Sequence, residues 1–191
     1  MTDSTGLVSR AQQGDLSAFE LLVETYQNRI FSHCYRLTGS YDDAQDLAQE
    51  VFIQAYKHLN TFRRDADFGT WLYKIARNQW INKTRQKKVI AISSDESLFT
   101  QNGEFAREIA ASEESPLEKL ERDEYYGLVR QALMSLTPEY RSVLVLRDME
   151  GYTYEEIAEI VDCSLGTVKS RLNRARRIMR DQVDAVKRSI E

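Results

Sequence analysis

Two prolines and eight glycines are few for 191 residues, and Leu, Ala, Glu, Arg and Gln are abundant, so helix is favoured over sheet. Cysteine is as scarce. Cys34 and Cys163 lie far apart with only His33 and His58 for company, which leaves no disulfide framework and no zinc spacing. Cys34 falls on an apolar helix face and reads as a core residue. No apolar run approaches the length of about 18 residues that a membrane span requires. The stretch MTDSTGLVSRAQQGD lacks the charged-then-apolar pattern of a signal peptide. A soluble, cytoplasmic protein without membrane insertion is therefore expected. Catalytic constellations are missing too: there is no phosphate loop, no GxSxG and no Cys–His arrangement. No enzyme activity, cofactor or metal is expected.

Net positive charge is also absent. The 26 basic and 30 acidic residues leave −4, which argues against a generic polycation. The local distribution is more telling. Residues 77–88 hold five cations (Arg77, Lys83, Arg85, Lys87, Lys88) and no acid, whereas residues 89–124 hold ten acids against Arg107, Lys119 and Arg122. After Asp162 a second cationic run begins with Lys169, Arg171, Arg174, Arg176, Arg177 and Arg180. The order is basic patch, acidic connector, basic patch.

Helical periodicity organises the rest. Asp15 can cap a first helix on which Phe19, Leu22, Val23, Tyr26, Ile30, Cys34 and Leu37 recur until Gly39. Ser40 can cap a second, with Asp43 in place of the usual glutamate, running to about Leu59. Asp67 can cap a third, from Phe68 to about Gln86. The polar, acidic stretch that follows has no sustained period and reads as a linker. Apolar spacing resumes at Leu117, Leu120, Leu128, Ala132 and Leu136. Thr137-Pro138 then opens a short helix that Gly151 stops, and two more helices follow. The expectation is an all-α chain of two small helical domains: 1–88, an acidic linker over 89–124, and 125–191.

The last two helices meet around Asp162-Cys163-Ser164. The first, near Tyr154 to Val161, offers Ile157, Ala158 and Val161 to a core. In the second, Val168, Leu172, Ala175 and Met179 form one stripe, and Gly166, Thr167, Ser170, Asn173, Arg174 and Arg177 lie opposite, flanked by Lys169 and Arg171. A solvated arginine face would be the plain reading of a lone helix. A preceding helix and a tight turn make it a helix-turn-helix, whose polar face can enter a major groove while the cations reach phosphates.

Two further faces stand out. On the second helix Asp42, Asp46, Gln49, Glu50 and Lys57 surround Ile53, an apolar centre with a polar rim that suits protein docking and repels phosphates. An isolated exposed isoleucine is the competing reading. On the third helix Phe68, Trp71, Leu72 and Ile75 face inward, while Tyr73, Arg77 and Trp80 share another face as a platform on which unpaired bases can stack. The alternative is that Trp80 packs against the linker or another helix.

Taken together, DDAQDLAQEVFIQAYKHLNTFR, FGTWLYKIARNQWIN and YTYEEIAEIVDCSLGTVKSRLNRARR resemble the bacterial sigma factors of the extracytoplasmic-function group, in the sigma-70 family. The resemblance spans nearly the whole chain outside the linker. It implies two helical domains, region 2 and region 4, and an alternative sigma factor that directs core RNA polymerase to promoters, in a stress or envelope response. It implies that Asp42, Asp46, Gln49, Glu50 and Ile53 contact the clamp helices of the polymerase beta-prime subunit. Phe62, Arg63, Phe68, Trp71, Lys74, Arg77 and Asn78 match positions that melt and read the minus-ten element, Phe68 and Trp71 as wall or scaffold. For Tyr73 and Trp80 the base-stacking role rests on helical geometry alone. Lys169, Ser170, Asn173 and Arg174 match positions that read the minus-thirty-five element, with Thr167 and Arg171 nearer phosphates. The expected partners are core polymerase, promoter DNA and an anti-sigma factor, with a monomer when free. An ordinary helix-turn-helix regulator is the competing reading; it leaves the acidic face and the aromatic helix without a role.

Overall fold

The computed structural model describes residues 4–63, 67–93 and 116–190, and all regular structure among them is helical. Helix α1 (Ser4–Gln12) was not anticipated; it buries Leu7, Val8 and Ala11. The Gln12 amide donates 2.9 Å hydrogen bonds to the carbonyls of Leu59 and Phe62, tying α1 to the far end of the domain.

Helix α2 (Leu16–Thr38) starts where Asp15 accepts a hydrogen bond from the Ala18 N–H, and it ends at Gly39, whose φ of 73° is left-handed. Its inward side is the expected one, with Phe19, Leu22, Tyr26, Ile30, Cys34 and Leu37 buried. Burial pushes the Cys34 thiol up to about 12, so it stays a neutral core group. Ser40 caps α3 (Tyr41–His58) through the Asp43 N–H, and Ala44, Leu47, Ala48, Val51 and Ala55 pack inward. A 3-10 turn (Leu59–Thr61) follows. Asp67 accepts from the Gly69 N–H at 2.8 Å at the start of α4 (Phe68–Ser93). The α4 backbone stays helical beyond Gln86, the expected end; no glycine or proline follows Gly69 before Gly103.

Helix α5 (Pro116–Ser135) opens the second helical group. The centre of the expected acidic linker, residues 94–115, lies outside the described residues. Helix α6 (Pro138–Leu144) begins at Thr137-Pro138 as anticipated, but its last turn widens into a π turn (Val145–Met149), closed by the Glu150 N–H on the Val145 carbonyl at 3.0 Å. Gly151, at φ 79°, stops it. Helices α7 (Tyr154–Val161) and α8 (Leu165–Ile190) complete the chain. The two helical groups pack together, because α4 meets α3 on one side and α6 and α7 on the other. Their buried side chains form one contiguous cluster from Leu7 to Ala175.

Candidate nucleic-acid interface

The α7–α8 unit is built by local chemistry. Thr153 and Glu156 form a reciprocal capping box: the Glu156 N–H donates to the Thr153 hydroxyl and the Thr153 N–H to the Glu156 carboxylate. Those bonds, backbone first, hold the Glu156 carboxyl below its ordinary range. Asp162 ends α7 at a left-handed φ of 51°, a conformation its short polar side chain tolerates. Ser164 then accepts from the Thr167 N–H at 3.2 Å to start α8. Val168, Leu172 and Ala175 are buried and Met179 is half-buried, as the stripe requires. Opposite them Gly166, Lys169, Ser170, Asn173, Arg174 and Arg177 are exposed; Thr167 and Arg171 are half-buried. Arg174 donates to the Tyr140 hydroxyl at 3.4 Å, and Lys169 lies over the Tyr154 ring at 5.9 Å. Arg176, outside the candidate set, forms an ion pair with Asp148.

The candidate residues around α4 divide. Phe62, Phe68 and Trp71 pack against one another, edge-to-face or tilted, with ring centroids 5.0 to 5.6 Å apart, at the end where the chain enters α4. Phe62 and Phe68 are buried, and Trp71 is partly so. Arg63 and Asn78 are exposed and Lys74 is half-buried. Tyr73 and Trp80, expected as an open stacking platform, are 3% and 6% exposed, covered by the second helical group. Arg77 is half-buried between them, and burial, then Arg171, lowers the basicity of its guanidinium.

On α3, Asp42, Asp46, Gln49 and Ile53 are exposed, Ile53 at 41%. Glu50 is half-buried and accepts from the Gln54 amide at 2.6 Å. Ile53 is not isolated: it borders a groove of about 740 Å³ between α2 and α3, with Phe19, Val23, Phe31, Phe52 and Tyr56. The α2 share of this groove escaped the sequence reading, which counted Val23 in the core stripe; Val23 is half-buried and lines the groove with Phe31.

Residues 22–89 match the sequence profile of Sigma-70 region 2, and residues 126–179 match that of Sigma-70 region 4. The RNA polymerase sigma-H factor of Pseudomonas aeruginosa is 39% identical over 174 residues, covering 89% of this chain and 88% of that protein. The ECF RNA polymerase sigma-E factor of Escherichia coli is 37% identical, covering 96% of this chain and 95% of its own length. The chain belongs to the sigma-70 family and is a sigma factor of the ECF group. The fold agrees: the sigma factor RpoE of Bartonella quintana, solved with the anti-sigma factor NepR, superposes with a TM-score of 0.71 over 87% of this chain and 96% of that one, at 22% identity.

As a sigma factor the protein acts in transcription initiation without catalysing a reaction of its own. Among the described residues no group of three or more His, Cys, Asp or Glu gathers at metal-binding distance. No described helix is long and apolar enough to cross a membrane. The region 2 match contains most of α2, all of α3 and most of α4; the region 4 match contains the helix-turn-helix and the cationic half of α8.

Proposed function

We propose that this ECF sigma factor divides its work among three surfaces, as the chemistry of each supports. The α2–α3 groove, with Ile53 at its edge and Asp42, Asp46, Gln49 and Glu50 around it, takes the clamp helices of the beta-prime subunit of core polymerase. Its acidic rim keeps DNA away. The α8 face takes duplex DNA: Lys169, Ser170, Asn173 and Arg174 read base edges of the minus-thirty-five element, while Thr167 and Arg171 hold phosphates. Around α4, Arg63, Lys74, Arg77 and Asn78 engage the minus-ten strand, with Phe62, Phe68 and Trp71 shaping the wall and Tyr73 and Trp80 stacking on bases. Base–aromatic stacking contributes ~1–3 kcal/mol per base and offsets the cost of unpairing.

The domains assigned to these tasks are 1–88 and 125–191, joined by the acidic stretch 89–124. An anti-sigma factor holds the protein in reserve; the structurally similar RpoE of Bartonella quintana was solved in complex with one. The free factor is a cytoplasmic monomer. The observation that carries the reading is the helix-turn-helix itself, whose capping box and Ser164 cap set α8 with its polar face outward.

The test is open-complex formation on a pool of bacterial promoter fragments with purified core polymerase, with and without this protein, detected by a single-strand-specific probe. Opening that depends on both proteins is the expected result. Tight DNA binding by this protein alone, with no opening, would favour an ordinary regulator.

A further inference from the structure

Helix α1 precedes the region 2 profile match, which begins at residue 22, yet it touches the far end of that domain twice. The Gln12 amide donates to the carbonyls of Leu59 and Phe62, both at 2.9 Å. At the start of α1 the Ser4 hydroxyl accepts from the Tyr26 hydroxyl at 3.3 Å. Tyr26 in turn meets Phe68 edge-to-face with centroids 5.5 Å apart, and Phe68 meets Phe62 the same way at 5.6 Å. Both contacts therefore lead to the aromatic wall where the chain enters α4.

The chain around Gln12 fixes where its side chain can be. Leu7, Val8 and Ala11 are buried, and α1 packs along α2. Gly14, at φ 92°, allows the tight turn between them, and Arg10 pairs at 2.7 Å with Asp15, the residue that caps α2. Gln12 itself is half-buried. The two carbonyls it joins bracket the 3-10 turn, for the Leu59 carbonyl also accepts from the Phe62 N–H at 3.1 Å. A carboxamide NH2 carries two hydrogens and so suits two acceptors; a carboxylate in its place would offer none.

The Phe62 carbonyl belongs to the peptide plane that also contains the nitrogen and Cα of Arg63. Holding that oxygen sets the plane, and with it the direction in which the exposed Arg63 leaves the turn. A loop carbonyl bonded only to water leaves its plane free to rotate, and the bond from α1 removes that freedom. The same turn seats the Phe62 ring against Phe68 and Trp71.

We propose that Gln12 is a positioning residue for reading the minus-ten strand: its amide fixes the Phe62–Arg63 peptide, and so the approach of Arg63 to the unpaired bases. The inference rests on the minus-ten reading of Phe62 and Arg63 given above. It gives α1 a part in promoter selectivity.

The test uses holoenzyme formed from core polymerase and the full chain. Fluorescence anisotropy would measure its affinity for the labelled single strand of a minus-ten element found in the pool assay. The same strand with each base replaced in turn gives the discrimination at each position. Gln12→Glu keeps the size of the side chain and removes both donors. It should lower discrimination at one or more positions by about three- to tenfold, the scale of one hydrogen bond. Affinity for core polymerase and for the minus-thirty-five duplex should not change. Arg63→Ala should lose selectivity at the same position, and adding Gln12→Glu to it should cost nothing further, because both act through one contact. A merely structural role predicts weaker binding to every strand alike, with losses that add. Gln12→Met removes the donors without adding charge and gives the same reading if Gln12→Glu does not fold. Unchanged discrimination, or losses that add to those of Arg63→Ala, would overturn the role of Gln12 alone. Wild-type holoenzyme that binds every strand equally would remove the minus-ten reading, and this inference with it.

Discussion

Arg141 lies over the Trp80 ring, 5.4 Å from guanidinium to centroid, and so joins a helix of region 4 to the helix of region 2 that carries the basic patch. Among the described residues its guanidinium has no carboxylate partner. Its bonds go to carbonyls: Leu37 near the end of α2, and Met134 and Leu136 at the end of α5. Helix C-termini carry unsatisfied carbonyls and partial negative charge, which is why a cation is stable there. Burial lowers its pKa to about 10, still leaving it charged at neutral pH.

Replacing Arg141 by methionine keeps much of the apolar stem and removes the donors. Three carbonyls then lose a charged partner, and the loss expected is about 2–4 kcal/mol. Urea unfolding monitored by circular dichroism would measure it; a loss below the experimental error would mean that water replaces the guanidinium freely.

The packing between the two helical groups should weaken in acid. Glu150 faces His33 and Arg36 from α2, Tyr73 from α4 and its own neighbour Tyr152. Burial alone would raise its carboxyl, but His33 and Arg36 outweigh it and the pKa falls below the usual 4.5. Burial lowers His33 below its usual 6.5, against the pull of Glu150. In both cases the unfolded chain binds the proton more readily than the native one, so stability rises with pH. Stability should begin to fall as pH drops below about 6.5, through His33, and fall further below about 4.5, through Glu150. Thermal melts across this range would record it, and His33→Gln should remove the upper part of the dependence and leave the lower.

Gly39 serves two requirements. Its φ of 73° disfavours any side chain, and a Cβ built there would run into the Met134 thioether on α5. Gly39→Ala should cost about 1–2 kcal/mol from conformation alone, plus the clash. Met134→Ala in the same chain should recover the steric part only. A double-mutant cycle of unfolding free energies separates the two.

The three surfaces should fail separately. Arg174→Ala should weaken promoter recognition by about 1–3 kcal/mol if it reads a base, while leaving affinity for core polymerase unchanged. Asp46→Arg should do the reverse. Fluorescence anisotropy with labelled core and initiation assays on one promoter would distinguish them; normal initiation by Arg174→Ala would remove its role.

Local signals were the most legible. Asp15, Ser40, Asp67 and Ser164 cap the helices they precede, and the Val168–Leu172–Ala175 stripe is buried as its spacing requires. Each depends on contacts within a turn or two. Helix α1 was missed because nine residues carry too short a period to stand out. The π turn was missed because an extra residue within a helix leaves no compositional trace. The platform of Tyr73 and Trp80 was expected open and is found covered, since helical spacing gives the face a side chain occupies but not what is packed on that face. Trp80 packing against another helix was the alternative left standing, and α6 is where that helix lies.

The π turn has a wider effect. An α-helix advances its side chains by about 100° per residue, so one additional residue within Val145–Met149 resets the angular phase of everything downstream. Asp148 points back to Arg176 of α8, while Glu150 points away to the neighbouring group. A single inserted residue thus acts as a gear tooth: it lets one short turn hold the last helix with one acid and a different domain with the next.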